Sequence, residues 1–128
     1  MYDKEVKDRQ MDTTNIINKA ELLERVDNDF ELLQELLSVF VEDIPQQLKE
    51  LEEAINDSDC ERIRTLVHRL KGAVGNLAAE DAYELAAKME MHAGQGEISS
   101  VQYFYPNLKK QVLLVIDALE FMVKNNGF

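Results

Sequence analysis

A histidine with a lysine three residues later lies in the stretch VHRLKGAVGNLAA, which runs from Val67 to Ala79. Residues three and four apart meet on a helix surface, so Lys71 can contact His68. An imidazole is a nitrogen nucleophile, and a neighbouring ammonium disfavours its charged form. The same ammonium would stabilise an anionic group carried on the ring. This pair therefore has the chemistry of a nucleophile with its own charge-neutralising group.

Two glycines, Gly72 and Gly75, follow the histidine although each costs a helix about 1 kcal/mol relative to alanine. A projection at about 100° per residue places both glycines on the face of His68. The apolar stripe of this helix lies on the other side and comprises Ile63, Leu66, Val67, Leu70, Val74 and Leu77. An open imidazole, small neighbours and an adjacent cation together predict a histidine that accepts a phosphoryl group from another protein.

The composition limits the classes of partner. The chain has 128 residues and a formal net charge of −11, so nucleic acid and direct contact with an anionic membrane are poor candidates. Basic residues nevertheless surround His68, among them Arg64 and Arg69. Cys60 is the only cysteine, which excludes an intrachain disulfide. Neither a signal peptide nor a membrane span is apparent, so we expect a cytoplasmic protein.

Two helices are predicted in the first half of the chain. Asn18 and Glu21 have the spacing of a capping box and predict a short helix over about 19–26. Asn28 and Glu31 form a second box that opens a long helix over about 29–56. Pro45 should kink this helix rather than end it, because the apolar stripe continues in phase. That stripe is Phe30, Leu33, Leu37, Phe40, Ile44, Leu48, Leu51 and Ile55.

Three further helices follow. Ser58 or Asp59 can cap the helix at about 60–77 that carries His68. The next helix, at about 80–94, is stopped by GQG. Ser99 with Gln102 suggests the start of the last one, which runs to about 124. Pro106 predicts either a kink or a later start near 105.

Helical periodicity dominates throughout, so the predicted fold class is all-α. Four long helices with short connections predict an antiparallel up-down four-helix bundle, with the short additional N-terminal helix covering one end. Residues 1–14 are expected to form a polar tail or linker, and residues 15–126 the domain. A monomer is expected because no exposed heptad seam remains once the stripes are buried.

The chain resembles the histidine-containing phosphotransfer (HPt) domains of multistep two-component phosphorelays. Their signature, approximately aHxLKGaaxxlGa, is matched by His68, Leu70, Lys71 and Gly72. FELLQELLSVFVEDIPQQLKELEEAI and LAAKMEMHAGQGEI resemble the long second helix and the end of a later helix in this family. The resemblance covers about 15–124. Ala78 departs from it, because the family has a glycine there that enters a left-handed turn easily.

The resemblance implies a phosphorelay function. His68 would be phosphorylated on its outer ring nitrogen by the phospho-aspartate of a receiver domain and would pass the group to a second receiver. Lys71 would neutralise phosphoryl charge, and Gly72 and Gly75 would let the receiver approach. Arg64 and Arg69 would add partner contacts.

The expected partners are receiver domains of response regulators or of hybrid histidine kinases. The receiver would supply Mg²⁺, so no cofactor or metal of the chain's own is expected. The domain could be free-standing, or a piece of a hybrid kinase tethered to the membrane.

Other classes of function are less compatible with the sequence. Phosphate-binding glycine loops are absent, so an autonomous kinase is excluded and a non-enzymatic relay intermediate is expected. Di-iron bundles need a glutamate three residues before a histidine, but Thr65 and Met89 occupy those positions. His92 is therefore interpreted as structural or incidental. The remaining alternative is an interaction module of the same fold that is never phosphorylated.

Overall fold

The computed structural model describes residues 16–125. These residues form five helices, which are α1 (Lys19–Arg25), α2 (Phe30–Asn56), α3 (Cys60–Asn76), α4 (Glu80–Gly94) and α5 (Ile98–Lys124). The described part contains no strand, which confirms the all-α prediction. The predicted polar tail over 1–14 lies outside these residues. Within them, no helix has both the length and the apolarity needed to cross a membrane.

The four long helices pack together, and each packs mainly against two others. α3 lies between α2 and α4, and α5 also lies between α2 and α4, so the apolar stripes meet in one core. In α3 every residue of the predicted stripe is buried. Phe30 and Leu37 of α2 and Phe104 of α5 are only partly buried, at the edge of this core. Both long helices continue through their prolines, so the suggested later start of the last helix near 105 was wrong.

Acidic and amide side chains begin three of the helices. The side-chain oxygens of Asn18, Asp29 and Asp59 each accept a hydrogen bond from the backbone N–H three residues later. Asn18 and Asp59 were among the predicted caps, but the cap of α2 is Asp29 rather than Asn28. Asn28 is unsuitable because its φ of 55° belongs to the end of the preceding turn, whereas an N-cap residue needs an extended backbone.

The ends of α2, α3 and α4 share one connection, in which the backbone turns left-handed for one residue. At the end of α3, Ala78 has φ of 57°. Its N–H donates to Gly75 O, and the next N–H, of Ala79, donates to Val74 O, which is the Schellman arrangement. Ser58 and Gly96 occupy the same position after α2 and α4. Ala78 thus adopts the left-handed conformation even though it is not the glycine that the family has at this position.

This three-residue connection also sets where the next helix begins. After Gly96, the following residue Glu97 is the N-cap of α5, without a side-chain capping bond. The start predicted from Ser99 and Gln102 was therefore late, because the preceding turn determines the first residue of α5.

The short helix α1 is attached to the end of α3. The Asn18 N–H donates to Ala78 O at 2.9 Å, and Arg25 Nη1 donates to Gly75 O at 2.6 Å. Ile17 and Leu22 are fully buried beside these bonds. The N-cap and the last residue of α1 therefore bind carbonyls at and just beyond the end of the helix that carries His68.

Candidate functional site

His68 lies in the middle of α3 on the side away from the core. Its neighbour Val67 is completely buried, whereas 67% of the His68 side chain is exposed. The amphipathic pattern of α3 produces this contrast, because successive residues in a helix point about 100° apart. The imidazole is thus held at the surface by a helix whose opposite side is fixed in the core.

Glu90 of α4 binds His68 from the neighbouring helix. Its Oε2 lies 2.8 Å from His68 Nδ1. An ionised carboxylate can only accept hydrogen bonds, so Nδ1 carries the proton in this contact. In the neutral ring the lone pair then lies on Nε2. Within residues 16–125, Nε2 has no hydrogen-bond partner of its own.

The same carboxylate binds Lys71, whose Nζ lies 2.7 Å from Glu90 Oε1. The hydrogen bond to Glu90 raises the pKa of Lys71, although desolvation acts against it. Burial acts to raise the pKa of Glu90, but the hydrogen bonds from Lys71 and His68 outweigh it and the pKa is lowered. Glu90 is therefore a carboxylate at neutral pH, with one oxygen for each of its two partners.

The surroundings of His68 differ from those expected. The ammonium beside the ring was predicted, but the carboxylate that separates the two groups was not. Glu90 is 22 residues from His68, and only the packing of α4 against α3 brings them together. The spacing of Tyr83, Ala87, Glu90 and Gly94 marks one side of α4 and is a signal that could have indicated this contact.

The two glycines have different environments. A Cβ at Gly72 would meet nothing within 4 Å, so this position is open to solvent beside His68. A Cβ at Gly75 would lie 3.0 Å from Tyr83 Cδ1 and 3.3 Å from Cε1. Gly75 therefore leaves room for the Tyr83 ring of the chain itself, and its expected role in the approach of a partner stays a prediction.

The two arginines lie on different sides of His68. Arg64 is exposed one turn earlier in α3, and its Cδ would lie 3.7 Å from a Cβ at Gly94 of α4. Arg69 is also exposed, but it follows His68 directly and therefore points about 100° away. Neither arginine forms an ion pair with another described residue. Of the two arginines, Arg64 is the one that lies beside α4.

A groove of about 540 Å³ opens beside the site, between α1, the end of α3 and the start of α4. Gly72, Gly75, Tyr83 and Arg25 are among the residues that line it.

The second histidine, His92, lies away from this groove. His92 Nδ1 is 2.6 Å from Glu97 Oε1, and the ring stacks on Phe104. Residues 16–125 contain no group of three or more His, Cys, Asp or Glu side chains that could hold a metal.

Comparison with known proteins identifies the family. The model of the Hpt domain matches residues 35–120, a range that includes His68, Lys71 and Glu90. Phosphorelay intermediate protein rdeA of Dictyostelium discoideum is 26% identical over 104 residues, which are 81% of this chain and 41% of that protein. The chain thus spans about two fifths of the length of this curated relative. No solved structure matches the chain significantly. Since the family model covers well over half of the sequence, the chain belongs to the Hpt domain family.

Proposed function

We propose that His68 carries a phosphoryl group between two receiver domains. The Nε2 lone pair attacks the phosphorus of a receiver's phospho-aspartate, a P–N bond forms, and the P–O bond to the aspartate breaks. The aspartate leaves as a carboxylate. The second transfer reverses these events on a different receiver. The exposed ring of His68 and the hydrogen bond that leaves its Nε2 lone pair free support this direction of attack.

Glu90 and Lys71 have complementary roles in this proposal. As Nε2 forms its bond to phosphorus, positive charge develops on the ring, and the Glu90 carboxylate at Nδ1 stabilises it, as an acidic residue does for a catalytic imidazolium. Lys71 shares the Glu90 carboxylate with His68, and its ammonium would neutralise charge on the transferred group. The carboxylate also holds the Lys71 ammonium until that group arrives. The transfer then depends on positioning and charge rather than on an ATP site of this chain.

The proposed docking surface is the α3–α4 side of the bundle. Gly72 leaves room beside the imidazole, and Arg64 offers a cation without a partner in residues 16–125. An acidic receiver pocket would be attracted to this basic region of an otherwise acidic protein. Arg69 would contact only a partner that extends across α3. The receiver would bring the Mg²⁺ that the acyl phosphate needs.

The remaining expectations are part of the same proposal. The short connections support an antiparallel up-down bundle, with α1 covering one end. We propose that the domain acts as a monomer in the cytoplasm, where receivers are available to it. Its place as a free-standing protein or within a hybrid kinase does not alter the chemistry at His68.

The observation that carries the proposal is the His68–Glu90 hydrogen bond on an exposed ring in an Hpt domain. Incubation with a phosphorylated receiver should place acid-labile phosphate on His68. His68→Gln should abolish the label. An unlabelled wild-type protein, tested with a panel of receivers and with the small donor phosphoramidate, would instead indicate an interaction module that is never phosphorylated. Undiminished label in His68→Gln would place the phosphoryl group on another residue.

A further inference from the structure

Tyr83 of α4 is the second group, after Glu90, that contacts Lys71. The Lys71 ammonium lies 5.8 Å from the centroid of the Tyr83 ring, which is within the range of a cation–π attraction. Glu90 is seven residues later in α4, so both side chains extend from the same side of that helix. Lys71 is therefore held between a carboxylate and an aromatic face. Only 22% of the lysine side chain is exposed.

Gly75 makes this placement of the ring possible. Its absent side chain leaves the position that Tyr83 Cδ1 and Cε1 approach, and a Cβ there would be only 3.0 Å from the ring. Since 42% of Tyr83 is exposed, the ring is not fixed by the core. An added methyl group at Gly75 would displace the ring outward rather than disrupt the bundle. The position of the ring over Lys71 thus depends on a glycine in the facing helix.

We propose that Tyr83 is a positioning residue that holds the Lys71 ammonium beside His68, and that Gly75 provides the space for the Tyr83 ring. This inference rests on the proposed phosphoryl transfer, because Lys71 acts on the group carried by His68. A lysine side chain loses considerable rotamer freedom when it is held in one place. The Tyr83 ring would keep the ammonium on the His68 side of α3 when a phosphoryl group competes with Glu90 for it.

The test compares Tyr83→Ala with Tyr83→Phe in the full chain. The Lys71 pKa is measured by NMR, and the rate of His68 phosphorylation is measured with phosphoramidate, which needs no docking partner. A cation–π attraction of the usual size predicts that Tyr83→Ala lowers the Lys71 pKa by about 0.4–0.7 unit and slows phosphorylation about two- to fivefold. Tyr83→Phe retains the ring and should behave as wild type.

Tyr103 provides a matched control, because it is a tyrosine with 78% exposure on α5. Tyr103→Ala should leave the Lys71 pKa and the phosphorylation rate unchanged. Gly75→Ala should reproduce part of the Tyr83→Ala effect. In a Tyr83→Ala background the same glycine substitution should add nothing further, since the two residues act through one contact. If Tyr83→Ala unfolds, Tyr83→Leu removes the ring while retaining apolar bulk.

The outcomes separate this inference from the proposed function. A phosphorylated wild type with an unchanged Lys71 pKa and rate in Tyr83→Ala would overturn the inference and leave His68 as the acceptor. A Tyr83→Phe variant that behaves like Tyr83→Ala would also overturn it, because the hydroxyl and not the ring would then matter. A wild type without label would reject the relay, while the Lys71 pKa would still test the contact.

Discussion

Replacement of Gly72 by glutamine should separate the stability of the bundle from its ability to meet a receiver. A Cβ at this position meets nothing within 4 Å, so the new side chain enters solvent and causes no clash inside the domain. Glutamine is a good helix former, whereas glycine costs about 1 kcal/mol relative to alanine. We therefore expect the free energy of unfolding to rise by about 0.5 kcal/mol. In a domain of this size that raises the thermal midpoint by about 2–3 °C.

The rate of phosphoryl transfer from a receiver to His68 should fall in the Gly72→Gln variant. Glutamine at this position lies one turn from His68, where a docked receiver has to approach the imidazole closely. Forcing extra atoms into a packed interface costs about 1–3 kcal/mol, which is roughly a five- to 150-fold loss of binding. Phosphorylation by phosphoramidate should be nearly unchanged, because this small donor does not need the surrounding surface.

The assay follows label on His68 from both donors, together with thermal unfolding of the same samples. Gly72→Ala is the matched variant, since it gains helix propensity and adds only one methyl group. It should lose much less receiver transfer than Gly72→Gln. Wild-type transfer from the receiver in Gly72→Gln would refute the argument that this glycine provides clearance, even with His68 as the correct acceptor. A lowered thermal midpoint would refute the assignment of the position as open.

Two further predictions concern stability. The pKa of Glu90 is lowered in the folded protein, so its contribution to the free energy of unfolding is present above the ordinary pKa of 4.5 and is lost as the pH falls through the folded pKa. Glu90→Gln should therefore lower the free energy of unfolding by about 1 kcal/mol at pH 7. In chemical unfolding experiments this difference should vanish in acid. A difference that persists at low pH would contradict the ion-pair explanation. Ser58 is exposed and has a left-handed φ of 54°. Ser58→Gly should raise the free energy of unfolding, measured in urea, by about 1 kcal/mol. Ala78→Gly should gain less, because it also removes a buried methyl group worth about 0.8 kcal/mol, and a larger gain there than at Ser58 would contradict this ranking.

Much of the fold was predictable because local physics decides it. The apolar stripe of α3 repeats at helical spacing, and every one of its members is buried. The caps at Asn18 and Asp59 follow from side chains that accept hydrogen bonds from free backbone N–H groups. These features need no information beyond a few neighbouring residues.

The helix ends were harder to predict because their turns do not depend on glycine alone. Ala78 and Ser58 adopt left-handed backbone angles that cost a residue with a Cβ about 1–2 kcal/mol. The hydrogen bonds that close each turn, and the burial of Ala78, compensate for that cost. The sequence shows such a position clearly only at Gly96, where glycine is present.

The sequence by itself determined that His68 lies on the outer side of an amphipathic helix, with Lys71 beside it and a small residue at Gly72. These are consequences of the helical repeat and of residue type. Only the tertiary structure decided that Glu90 accepts a hydrogen bond from His68 Nδ1 and binds Lys71, and that Gly75 accommodates Tyr83. Both contacts join α3 to α4, and their partners are set by how two helices pack, which no local spacing specifies.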